Sequence, residues 1–230
     1  MKRHASVAKY KVPYLHEKVI EEHAQLLLDE WAQEHPAVTE PPVPIEEILE
    51  CHLQLECSIA DLQGELGHPD VLGGIWFGDR MIKVDQSLDP SSTPRMLGRY
   101  RFTLAHEVGH WRLHRKHLMD DPSALSLFEQ NCGPAFVCRS SQNPPEEIQA
   151  NMFSACVLMP RRLIFEAWKR WRGDHDPASL VELGMSEHDE IAMDKFCRPF
   201  ADKFEVSAQA MRYRLQGLEL LVKEKEPRLF

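Results

Sequence analysis

Apolar positions recur at helical spacing over residues 15–34, where Ile20, Ala24, Leu27, Leu28 and Trp31 share one face and Pro36 lies beyond the end. The Pro-rich stretch 35–44 connects to a short helix that Pro44 opens through Ile45, Ile48 and Leu49. Leu53, Leu55, Cys57 and Ile59 alternate as in a strand. Two apolar runs in 73–85 flank Gly78-Asp79, a dipeptide suited to a tight turn, and predict a hairpin. Thr93-Pro94 predicts a helix start, with Thr93 as N-cap and the helix running to about Arg115. On it Leu97, Tyr100, Leu104, Val108 and Trp111 form one core stripe, while His106 and His110 fall on the opposite face. Residues 117–143 read as a loop-rich insertion. Asn143-Pro144-Pro145 starts a second helix, EEIQANMFSACVLM, which Pro160 breaks ahead of the basic segment RRLIFEAWKRWR. The last third is helical and ends in FADKFEVSAQAMRYRLQGLELL. This is the pattern of an α+β chain, mostly helical, with a larger unit over 1–174 and a small helical module over 175–230.

Composition narrows the class. With 43 % apolar and 27 % charged residues in 230, the chain belongs with globular proteins rather than collagen-like, disordered or membrane-embedded ones. It has no apolar run near the roughly 20 residues a bilayer needs, and no signal-peptide core, so a cytoplasmic location is expected. None of the six cysteines forms a CxxC pair, which removes zinc-ribbon and thioredoxin chemistry and leaves small buried hydrophobes. Charge is uneven. The first 92 residues carry 7 basic and 17 acidic side chains, whereas residues 93–174 carry 12 and 8. A coat for nucleic acid is thereby disfavoured, but a local anion-binding surface in the middle third is not.

The chemistry concentrates in RFTLAHEVGHW. Histidines four apart on a helix differ by about 40° around the axis, so His106 and His110 can reach one metal ion, with Glu107 beside them to take a proton from a metal-bound water. Chance alone would place His-Glu-x-x-His in roughly 6 % of chains with this composition, so context must decide. The motif lies mid-helix and off the core stripe, and a catalytic zinc needs a third protein ligand and one open position. The continuation HExxHxxGxxH is absent, since Leu113 and Lys116 occupy its Gly and His positions. His114 reads as an exposed helix-end cation. A carboxylate from the second helix is the remaining source. Glu147 opens that helix, Glu146 competes with it, small residues beside Ala150 allow close packing, and Asn151 can hydrogen-bond a ligand.

RFTLAHEVGHWRLH followed by EIQANMFSACVLMP resembles the ImmA/IrrE family of zinc metallopeptidases, whose FTxAHExxH helix is paired with a downstream ExxAN…LMP helix. FEVSAQAMRYRL is similar to the family's closing VSxxAMxxRL segment, and the resemblance spans roughly residues 45–220. It implies a zincin-like core, with a small antiparallel sheet packed on the two motif helices, followed by a helix-turn-helix-like C-terminal module. By position it makes His106, His110 and Glu147 ligands of one catalytic Zn2+ and Glu107 the general base. It implies an endopeptidase that cleaves a helix-turn-helix repressor encoded nearby, relieving repression of a mobile element, defence operon or DNA-damage response. Tyr213, Arg99 or a histidine of the last third are candidates to stabilise the oxyanion, whereas Tyr100 sits on the core stripe.

Two features suggest control. Cys132 and Cys138 precede the ligand helix, and a thiolate there, preferably that of Cys138, could plug the metal's open position. Arg95 and Arg99 lie upstream of the histidines on the same face. With Arg161, Arg162, Lys169, Arg170 and Arg172 they could hold an acidic substrate segment or a polyanion such as single-stranded DNA. The alternative function is a DNA-binding regulator with a structural metal. Ala201, Phe204, Val206, Ser207, Met211 and Leu215 have helix-turn-helix spacing, with Ser207 as N-cap. Against it, Glu205 occupies a turn position that favours Gly, and the reading helix offers only Arg212 and Arg214.

Overall fold

A computed structural model describes residues 12–120, 133–140, 144–174 and 176–224. Helix α1 (Glu17–Glu34) buries the expected face of Ile20, Ala24, Leu27, Leu28 and Trp31. Ile45–Glu47 forms a short turn after Pro44 and continues as a wider, π-helical turn over Ile48–His52. Strand β1 (Glu56–Ala60) follows, then the small helix Leu62–Leu66 and the hairpin of β2 (Val71–Trp76) and β3 (Met81–Asp85). Helix α2 (Leu97–Gly109) is preceded by a 3-10 turn over Pro94–Met96, and Thr93 makes no side-chain cap. The helical path does not stop near Arg115. It passes through a π turn at His110–His114 and runs on to Met119.

The sheet has the order β1-β3-β2-β4, with β4 (Phe136–Arg139) drawn from the segment read as loop. β2 pairs antiparallel with both β3 and β4, but β1 runs parallel to β3, with Cys57 opposite Ile82. The expected antiparallel sheet is therefore mixed. Alternation in β1 specifies which side chains face the core, not which strand lies beside it, and the Leu62–Leu66 connection carries the chain past β3 before β2 begins.

Helix α3 (Pro145–Leu158) crosses α2 at close range: a Cβ on Gly109 would stand 3.2 Å from the Cα of Ala150. Helix α4 (Arg161–Arg172) ends at Gly173, whose φ is +85°. Strand β5 (Ala178–Ser179) pairs with β6 (Leu221–Val222) around helices α5 (Glu190–Phe204) and α6 (Ala208–Gly217). Ser207 caps α6 as expected, its Oγ accepting from Ala210 N at 3.1 Å. Glu205 makes the turn between α5 and α6 despite being non-glycine, at φ +52°. Its carboxylate lies 3.4 Å from the guanidinium of Arg101 on α2. One apolar cluster runs from Ile20 to Leu221 and holds α1–α6 and the sheet together. Among the described residues no helix is long and apolar enough to cross a membrane.

Candidate metal centre

α2 presents His106 and His110 one turn apart, and the first turn of α3 presents Glu147. All three are buried, at 1 %, 0 % and 6 % exposure. His106 Nε2 lies 3.0 Å from Glu147 Oε2, His110 Nε2 lies 3.1 Å from Glu147 Oε1, and the two Nε2 atoms are 3.0 Å apart. Ligands about 2.0–2.1 Å from a tetrahedral zinc stand roughly 3.3 Å from one another, so the triangle is close to the required size. Two imidazoles and a carboxylate are also the donor chemistry that zinc accepts. Asn151 Oδ1 accepts from His106 Nδ1 at 2.9 Å, leaving the lone pair of His106 on Nε2, toward the other two groups. Phe136 of β4 stacks on His110 at 4.1 Å and fixes its plane.

Electrostatics separate the two carboxylates. Burial alone would raise the pKa of Glu147, but the adjacent imidazoles of His106 and His110 outweigh that and hold it down to about 2. Glu107 is wholly buried, neither of its carboxylate oxygens has a hydrogen-bond partner, and burial, reinforced by Glu147, pushes its pKa up to about 8. Burial likewise lowers His110 to about 3. Room for the Glu107 carboxylate comes from β2: a Cβ at Gly73 would meet Glu107 Oε1 at 3.0 Å and the Thr103 methyl at 2.6 Å.

His114 is a correction. It is not an exposed cation but fully buried, with Nδ1 2.9 Å from His110 Nδ1 and Nε2 3.1 Å from Gln149 Oε1. The i,i+4 spacing that selects His106 and His110 relates His110 to His114 as well, and that was the signal available for it. Gln149, two residues after Glu147, carried no such signal.

Glu146 is half-buried and takes no part in the cluster. Cys138 is buried on β4; its Sγ and ligand atoms of His106 and Glu107 lie within 4.8 Å of one another. Cys132 and Asn143 lie outside the described residues.

A cleft of about 780 Å³ opens beside the cluster, lined by Leu72, Arg99, Phe102, His106, Cys138, Arg139, Glu147, Met152 and, from α6, Tyr213. Arg99 and Tyr213 thus reach it. Arg95, on the 3-10 turn before α2, does not line it. Tyr100 is turned away, with its hydroxyl 4.0 Å from Cys57 Sγ. The two arginines of α6 are not free to read DNA. Arg212 is buried against Asp194 at 2.7 Å, and Arg214 is buried against Glu21 at 2.5 Å.

The family model described as Peptidase_M78, IrrE N-terminal-like domain, matches residues 93–216, a span that contains His106, Glu107, His110 and Glu147. A solved structure described as a Mycobacterium tuberculosis transcriptional regulator is similar at 14 % identity and a TM-score of 0.47, over 94 % of this chain and 49 % of that one. The chain therefore spans about half the length of that protein. No curated protein matches it.

Proposed function

The chain belongs to the Peptidase_M78 family of IrrE N-terminal-like domains, and from that premise we propose that it is a zinc-dependent, site-specific endopeptidase. Its substrate is a partner helix-turn-helix repressor, and cleavage relieves repression of a stress-response, mobile-element or phage-defence operon. The observation that carries this reading is the convergence of His106, His110 and Glu147 on one point, with the unpartnered carboxylate of Glu107 beside them. Bound there, zinc would supply Lewis acidity toward a water and a peptide carbonyl. Glu107, ionised beside a bound cation, receives the proton of the attacking water and returns it to the leaving amine. Arg99 and Tyr213, on the cleft wall, are the candidates to stabilise charge on the carbonyl oxygen. Arg99 also favours an acidic substrate segment or an activating polyanion such as single-stranded DNA.

In the same reading the thiolate of Cys138, close to His106 and Glu107, would restrain the enzyme by binding the cation in place of substrate. In cobalt-loaded protein this would give a sulfur-to-metal absorption band that Cys138→Ser abolishes, together with raised basal cleavage. Unchanged basal cleavage would end the idea.

The burial of Arg212 and Arg214 in ion pairs weighs against the DNA-binding alternative. The test is co-expression with the helix-turn-helix protein of the neighbouring reading frame, using Glu107→Gln as control. Chelator-sensitive cutting that the substitution abolishes is expected. An intact partner under zinc-replete conditions, or cutting that survives Glu107→Gln, would overturn the proposal.

A further inference from the structure

We infer that His114, Gln149 and the main-chain carbonyl of Pro13 form a relay that fixes the tautomer of His110, so that the segment leading into α1 sets how tightly the centre holds its cation. The inference rests on the reading of His106, His110 and Glu147 as metal ligands, and it follows from hydrogen-bond polarity alone. A carbonyl only accepts, so the Gln149 group 3.0 Å from Pro13 O is its NH2. That turns Gln149 Oε1 toward His114 Nε2, at 3.1 Å, and an amide oxygen also only accepts, so His114 carries its proton on Nε2. His114 is fully buried and neither of its hydrogen-bond partners is a carboxylate, which leaves it neutral with a bare Nδ1. The bare atom faces His110 Nδ1 at 2.9 Å and must accept from it. His110 is thereby protonated on Nδ1, and its lone pair sits on Nε2, the atom 3.1 Å from Glu147 and 3.0 Å from His106.

The opposite tautomer would oppose two lone pairs across the His110–His114 contact and aim an N–H at the cation. Each link in the chain has one permitted direction. Asn151 performs the same service for His106 in a single step, whereas His110 needs three groups, the last of them on a different part of the fold. Partners of this kind alter metal affinity by about 10–100-fold when removed.

Two measurements on the full chain test the relay. Nitrogen-15 NMR of the chelator-treated wild type should find His110 protonated on Nδ1 and bare on Nε2; a signal from the Nε2–H form overturns the inference. Gln149→Leu should return His110 to a mixture of tautomers and loosen zinc by about 10–100-fold. A wild-type tautomer and wild-type zinc affinity in that variant would overturn the relay. If Gln149→Leu does not fold, the wild-type spectrum decides alone. A wild type that shows the expected tautomer but takes up no zinc would refute the metal-centre reading while leaving the relay standing.

Discussion

Glu107, beside His106 on α2, and Glu147, from the first turn of α3, are the same side chain set against the same two imidazoles, and their surroundings drive them in opposite directions. Glu147 lies against both imidazoles and stays ionised, whereas Glu107 is buried with nothing to accept from and holds its proton. This difference has a stability consequence. A carboxyl whose folded pKa exceeds its unfolded value binds its proton more tightly in the native state, so its ionisation opposes folding as pH rises. In chelator-treated protein that loss should develop between pH 4.5 and about 8. Glu107→Gln removes the charge and should therefore stabilise the chelated protein by on the order of 2–4 kcal/mol at the alkaline end of that window and little at its acid end. Thermal denaturation across the range checks this, and a midpoint indifferent to the substitution at every pH would contradict it. A bound cation would hold Glu107 ionised and shrink the effect, so the same scan with zinc present should show a smaller difference.

At the scale of elements, the centre depends on how closely α2 and α3 approach. Gly109 and Ala150 permit a contact that a Cβ on Gly109 would meet at 3.2 Å, against backbone that cannot swing aside. Gly109→Val should push the helices apart, cost about 1–3 kcal/mol and carry Glu147 away from the imidazoles. Denaturant unfolding together with zinc titration tests this, and unaltered zinc affinity would contradict it. Both helices were legible in the sequence because each has proline at its start and its functional residues at fixed helical offsets, and α2 adds an apolar stripe at helical spacing. The geometry around His106, His110 and Glu147 was legible for the same reason. β4 was not, since four residues between loop segments carry too little alternation to be distinguished. The parallel pairing of β1 was not, because periodicity is silent about neighbours. His114 was misread because its charge and its place near the expected helix end suggested solvent. Its burial depends on the helix continuing to Met119 and on Phe136 and Gln149 arriving from elsewhere in the chain.

At the scale of the whole molecule, part of the charge imbalance of the sequence is used within the fold. Acidic residues of the first third meet arginines of the later parts: Glu30 with Arg112 at 2.8 Å, Glu46 with Arg101 at 2.7 Å and Glu21 with Arg214 at 2.5 Å. These contacts tie α1 and the segment after it to α2, the π turn that follows it and α6, so the acidic stretch is scaffold as well as surface. Of the arginines that line the cleft, Arg214 is used this way, whereas Arg99 and Arg139 are not among these pairs. The N-terminal segment also reaches the centre, through the Pro13 carbonyl that accepts from Gln149.

The most direct test is the zinc content of purified protein after metal resupply and exhaustive dialysis, measured alongside Glu147→Ala. The expected result is one zinc per chain in the wild type and well below one in the variant. A wild type that retains no zinc, or a variant that retains as much as the wild type, would contradict the account.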